Sequence, residues 1–133
     1  RGKAGWGENM GLLSTMVNTF GGQWFDQNWL PKLNSREWKN ALFTYKDLLS
    51  NYGPPNPTRN GFNENRSLFA NGHCAIWVDA TIAAGMLFNA KQSKVHAQVG
   101  FAPAPIAVTE KGASWLWTWA LAIPDSSKHN AGA

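Results

Sequence analysis

Trp115-Leu116-Trp117-Thr118-Trp119 sets three indoles at alternate positions. That spacing puts all of them on one face of a β-strand. Ala120-Leu121-Ala122-Ile123 continues the strand in small and aliphatic residues, and Pro124 stops it. Each indole is bulky, and each buried N–H needs a hydrogen-bond partner. A core strand has little use for such a row, whereas a surface that holds polyhydroxylated ligands does. The C–H faces of sugars and polyols stack on indole, and their hydroxyl edges take hydrogen bonds. An aromatic cluster at the edge of the core is the competing reading.

The composition sets bounds on the rest. The 133 residues are one domain's worth, with 44% hydrophobic and 15% charged, a balance that supports a core and argues against disorder. The net charge of +4 comes from scattered Lys and Arg. No basic stripe tracks phosphates, so no nucleic-acid partner is expected. Cys74 is the only cysteine, so no internal disulfide can form, and its apolar neighbours mark it as a buried small hydrophobe. No apolar run approaches the ~18 residues that cross a bilayer, and no signal peptide pattern is present. The chain reads as truncated at both ends. It opens on Arg1 without Met and stops while Ser126 to Ala131 begins a helix.

Apolar spacing predicts a helix over residues 8–20, with Leu12, Leu13, Met16, Val17 and Phe20 on one face and Gly21-Gly22 as its stop. A second helix follows a capping-box pattern of Asn34 and Glu37. Its stripe is Trp38, Ala41, Leu42, Tyr45, Leu48, Leu49 and Tyr52, ended by Gly53-Pro54-Pro55. A short helix runs from a cap at Asn63 through Phe69 to Gly72, and another from Asp79 or Thr81 to about Asn89. Buried strands are expected at 74–78, 99–102 and 114–123. Helices alternating with short apolar strands point to an α/β domain with a mostly parallel sheet.

The carboxylates are dispersed. Glu37 and Asp47 belong to a solvated helix face, and Asp26 lies in an aromatic loop beside Trp24. Asp79 stands at the end of an expected strand, the edge that faces the ligand crevice in open α/β sheets; a helix N-cap is its simpler role. No spacing unites two carboxylates as glycoside hydrolysis requires. His73, His96 and His129 lack metal-ligand spacing. P-loop, dinucleotide and nucleophile-elbow motifs are absent, so no cofactor is expected. Trp6 in a Gly-flanked loop and Trp24 after Gly21-Gly22 belong to no helix stripe, and both suit a cleft. Trp38 and Trp77 read as core. Loop indoles with one strand-end carboxylate favour binding over catalysis.

The segments Arg1-Gly-Lys-Ala-Gly-Trp-Gly-Glu-Asn9, Asn18-Thr-Phe-Gly-Gly-Gln-Trp-Phe-Asp26, Gly61-Phe-Asn-Glu-Asn65, Ala75-Ile-Trp-Val-Asp-Ala-Thr81 and Trp115-Leu-Trp-Thr-Trp-Ala-Leu-Ala-Ile-Pro124 carry a resemblance. Together they resemble the extracellular solute-binding proteins of ABC importers for sugars and polyols, closest to the sorbitol/mannitol-binding branch of the maltose-binding-protein-like family. The resemblance covers essentially the whole chain. It implies a periplasmic-binding-protein type II fold in a longer, two-lobed protein. This chain would be a single-domain part, residues 1–133, of the second lobe, with the first lobe missing. It further implies a mostly parallel sheet with one antiparallel strand, flanking helices, and a periplasmic or extracellular location. The implied partners are a sugar or polyol in the interlobe cleft and the membrane permease subunits of the importer. Position within the motifs implies ligand contacts from Trp6, Trp24, Asp79, Trp115 and Trp117. Trp115 and Trp117 reach the ligand edge only if strand 114–123 runs antiparallel to 74–78, which would leave Trp119 deeper in the core. A fragment of a carbohydrate-active enzyme, or an α/β domain with no site, are the alternatives.

Overall fold

The computed structural model describes residues 1–110 and 112–128. His129 and the end of the helix expected from Ser126 lie outside the described residues. Among those residues the α-helices are α1 (Glu8–Thr19), α2 (Arg36–Asp47), α3 (Phe62–Ala70) and α4 (Ala84–Leu87). A π-turn, Leu48–Tyr52, extends α2, and 3-10 turns cover Pro57–Arg59 and Thr81–Ala83.

The first helix forms where the apolar spacing places it. It buries Leu13, Met16 and Val17. Gly21 turns left-handed at φ 77°, donating to the Asn18 carbonyl, while Gly22 donates to that of Val17. These two bonds satisfy carbonyls that the helix itself leaves open. The cap of α2 is one residue later than the sequence suggests. Ser35, not Asn34, is extended there, and its Oγ accepts from the Trp38 amide at 3.3 Å. Asn34 and Ser35 are both good caps, and only the helix register chooses between them. The cap of α3 is Gly61 rather than Asn63, with its amide donating to Glu64 Oε2 at 2.9 Å.

Two apolar clusters hold these pieces. Leu13, Met16, Val17, Trp38 and Ala41 form the α1–α2 core, bordered by Met10, Leu12, Phe20, Trp24 and Tyr45. The stripe on α2 is shorter than its spacing suggests, since Leu42, Leu48 and Tyr52 are exposed. The second cluster joins Ala70, Ala83 and Leu87, with Phe62, Phe69, Trp77 and Val99 against it. Trp77 thus packs as expected for core, between Phe62 and Phe69. Cys74 is half-buried rather than enclosed.

The expected sheet is where sequence and structure part. Among the described residues, the one β-type pairing outside helices is an isolated antiparallel bridge between Phe25 and Pro31. The segments 74–78, 99–102 and 114–123 form no ladder, so strand 114–123 is not antiparallel to 74–78 here. Every residue from Ser114 to Ser126 is exposed. A helix closes its hydrogen bonds within its own segment, whereas a strand needs a neighbour to receive them. These three segments do not serve one another as neighbours. Period-two apolar patterning marks a chain that can pair, and pairing itself depends on what lies alongside.

Candidate ligand-binding site

The residues around the N-terminal turn of α1 come from four stretches of chain. Asp79 does not cap the following turn with its side chain in the manner of an N-cap. Its carboxylate is instead gripped by Arg1: Arg1 Nε donates to Asp79 Oδ2 at 2.7 Å, and Arg1 Nη2 donates to Oδ1. Oδ1 also accepts from the Ala80 amide at 2.7 Å. Arg1 Nη1 reaches Glu8 Oε2 at 3.0 Å, and that oxygen accepts the Phe62 amide at 3.0 Å. The guanidinium lies over the Phe62 ring, 5.1 Å from its centroid. Side-chain exposure is 5% for Arg1 and 4% for Asp79. Burial works against the charge on Arg1, but hydrogen bonds and attraction from Asp79 and Glu8 outweigh it and raise the pKa above its ordinary value. The Arg1 carbonyl accepts the Tyr45 hydroxyl at 2.6 Å, and burial pushes that phenol up. The fork geometry of Arg suits a carboxylate held in two places.

Trp6 stands beside this cluster on a left-handed run, with φ of 85° at Gly5, 53° at Trp6 and 72° at Gly7. A bulky residue rarely holds such a φ, and held strain of this kind collects at ligand sites. The ring is 92% exposed. The three indoles of the C-terminal run also come to α1. A Cβ added to Gly11 would stand 2.7 Å from the Trp115 ring, so the indole lies directly on the helix backbone. Trp117 stacks on Trp115 with centroids 5.4 Å apart, and Trp119 on Trp117 at 5.3 Å. The rings share one side, as alternate spacing requires, without a paired strand. Burial runs opposite to the sequence expectation: exposure is 36% for Trp115, 45% for Trp117 and 80% for Trp119. Trp115 is the least exposed of the three, and it rests on Gly11.

Trp24 is placed apart from that group. It meets Trp38 edge to face, with centroids 4.7 Å apart and an interplanar angle of 88°. Trp38 is further held by its indole N–H on the Gln23 carbonyl at 2.8 Å. Asp26 in the same loop accepts the Leu30 and Asn28 amides, which with nearby Lys32 hold its carboxyl below the usual range. Those bonds make it a turn former. Two concavities lie along α3: one of about 290 Å³ is lined by Arg66, Ala70, Met86 and Leu87 among others, and a more open one of about 540 Å³ by Pro55, Asn60 and Glu64 among others. None of the five sequence candidates lines either of them; Trp6, Trp115 and Trp117 are exposed, while Asp79 is buried against Arg1 and Trp24 packs on Trp38.

Sequence reasoning missed Arg1, Glu8 and Gly11. Arg1 and Glu8 stand in the quoted first motif, but nothing in their spacing announces an ion pair across 78 positions to Asp79. Gly11 reads as a weak helix position until the ring resting on it is seen.

The family described as bacterial extracellular solute-binding protein matches residues 1–133. The chain belongs to that family. It is 57% identical over 128 residues to a mannitol-binding protein of Pseudomonas aeruginosa, covering 96% of this chain and 29% of that protein. It also superposes, with a TM-score of 0.89 and 54% identity, on a crystal structure of an ABC transporter solute-binding protein from Agrobacterium vitis S4 with bound D-mannitol; that match covers 96% of this chain and 31% of the other. The chain therefore spans less than a third of each of these relatives. A solute-binding protein needs hydroxyl acceptors and apolar faces, with no acid and nucleophile. The geometry around Arg1 agrees with that. Glu8 and Asp79 do approach each other, yet the Arg1 guanidinium lies between them. A glycosidic bond under hydrolysis would have to occupy that place.

Proposed function

We propose that this chain forms most of the second lobe of a two-lobed protein that captures a sugar or polyol of the hexitol class. The captured solute passes to the permease subunits of an ABC importer at the outer face of a bacterial membrane. The observation that carries this reading is the 54% identity and 0.89 TM-score, over 96% of the chain, to a solute-binding protein holding D-mannitol. The first lobe supplies the opposing wall of the cleft. In the whole lobe, segments 74–78, 99–102 and 114–123 join a mixed sheet whose remaining strands come from outside residues 1–133, with 114–123 running antiparallel.

On this reading Trp6, Trp24, Asp79, Trp115 and Trp117 serve the ligand. Trp6 is held outward by its left-handed backbone. Among the described residues Asp79 Oδ2 accepts one bond, from Arg1 Nε, and its second lone pair is the one a ligand hydroxyl would take. Arg1 holds that carboxylate through two of its donors, so its orientation does not have to be found on binding. Asp79→Ala in the two-lobed protein weakens polyol binding by about 1.5–3 kcal/mol, the range for a hydrogen bond to a charged group. A loss of thermal stability with unchanged affinity makes Asp79 only a partner of Arg1.

The reading is tested by calorimetry of the two-lobed protein against D-mannitol, sorbitol and a panel of pyranoses. Micromolar affinity for a hexitol is expected, while residues 1–133 alone bind more weakly than about 1 mM, because half a cleft leaves half a ligand in water. Absence of binding to any member of the panel overturns it, and micromolar binding by the isolated chain overturns the division into lobes.

A further inference from the structure

We infer that Gly11 is a positioning residue for ligand capture: because it carries no side chain, helix α1 can set where the Trp115 ring stands. The inference rests on the proposed capture of a sugar or polyol with Trp115 at the ligand. A glycine inside a helix costs stability, because its backbone loses the most freedom on folding. Helix α1 nevertheless carries Gly11 within its span and buries it. What the position admits is an indole. A Cβ built there would stand 2.7 Å from Cζ3 of Trp115, 3.1 Å from Cε3 and 3.3 Å from Cη2. All three atoms belong to the six-membered ring. The helix therefore meets the far end of the side chain, and any side chain at position 11 would displace the ring.

Helix α1 has a second hold on the same part of the chain. The Thr19 carbonyl accepts the Val108 amide at 3.1 Å. Thr19 Oγ1 accepts the Ala107 amide at 3.1 Å and lies 3.1 Å from the Thr109 hydroxyl. Gly11 and Thr19 are about 12 Å apart along the helix axis, on the side turned from Leu13 and Val17 of the α1–α2 core. Both holds are contacts with a helix, so neither requires a partner strand for 114–123. An alanine at position 11 would push the ring from 2.7 Å toward the 3.4 Å at which ordinary contact begins, a displacement of about 0.7 Å. A binding group has to be held within about 0.5 Å of its place. The ring ends a rotatable side chain, so it yields while the helix stays, and alanine itself favours the helix. The substitution thus separates ligand affinity from stability.

The test uses the two-lobed protein with D-mannitol as the probe, and compares the parent with Gly11→Ala, Trp115→Phe and the two changes together. Melting is followed without ligand and at high D-mannitol, because the ligand-dependent shift reports affinity even for weak binders. Phenylalanine lacks the second ring that meets position 11. Without ligand, Gly11→Ala is expected to melt at or above the parent. Its affinity for D-mannitol falls by about five- to tenfold. In the Trp115→Phe background the same substitution changes affinity by less than about twofold, the mark of a coupled pair. Gly11→Ala with the parent's affinity overturns the inference. So does an equal loss in both backgrounds, which places the effect in the helix and not in the ring. A lower unliganded melting temperature for Gly11→Ala also overturns it, since the fold itself then needs Gly11. Parent protein that binds neither D-mannitol nor any other polyol or sugar overturns the capture reading instead, a result distinct from any difference among the variants.

Discussion

The run from Ser114 to Ser126 is richer in apolar and aromatic residues than the α1–α2 pair, yet the pair is a packed core and the run is exposed throughout. The difference lies in where each finds its hydrogen bonds. An α-helix satisfies its interior amides within four residues along the chain. Once α1 and α2 exist, their apolar faces need only each other, and Val17 and Ala41 lose all contact with solvent. The Trp-rich run has no such local solution. Its backbone amides need a neighbouring strand, and its side chains need a sheet face to lie on. What it does find is helix α1, through Trp115, and then itself, ring upon ring. Local order can thus be complete in one half of a chain while the other half holds only the order its side chains can arrange among themselves.

The comparison predicts where substitutions act. Trp38→Ala removes the largest ring of the α1–α2 core and its bond to Gln23, and a loss of about 3–5 kcal/mol is expected in denaturant unfolding. Little change there means that the helices do not depend on that core. Arg1→Met leaves Asp79 and Glu8 facing each other without their cation. A cost of about 3 kcal/mol is expected, since removing one member of a buried ion pair strands the other. A melting temperature equal to the parent's would make the cluster a surface feature. Ser35→Ala costs about 1 kcal/mol through loss of the α2 cap, while Asn34→Ala is nearly silent. The reverse order restores the capping box read from Asn34 and Glu37. The smallest effect belongs to the exposed run: Leu121→Ala changes the stability of residues 1–133 by less than about 0.5 kcal/mol. In the two-lobed protein the same change costs more if strand 114–123 enters a sheet there. Measuring Leu121→Ala in both settings, by chemical unfolding, separates a run that is exposed by nature from one awaiting its neighbours.

The candidate site was legible to different depths for similar reasons. Trp6 could be picked out because glycines on both sides mark an unusual backbone, and the structure holds that residue left-handed. The stacking of the three indoles was also readable, because alternate spacing puts side chains on one side whether or not a sheet forms. The burial order along them was not. It depends on Gly11, a helix position more than a hundred residues away in sequence from Trp115. Asp79 was selected for a strand end that is unpaired here, and its fixed orientation comes from Arg1, which no local pattern connects to it. Trp24 is a loop aromatic with no stripe to claim it, and it packs beside the α1–α2 core, edge to face with Trp38.

By itself the sequence determined the helices, their stops at Gly21 and Gly53, the α1–α2 core and the alternation that aligns the indoles. It also carried the motifs of a solute-binding protein. All of these are written in residues within a few positions of one another, where backbone geometry fixes which side chains meet. The tertiary structure alone decided that Ser35 caps α2, that Arg1 holds Asp79 and Glu8, and that Trp115 rests on Gly11 with Trp119 outermost. Those contacts join positions far apart in the chain. Their energy depends on distances that no spacing rule contains, so they exist only once the packed helices bring the partners within reach.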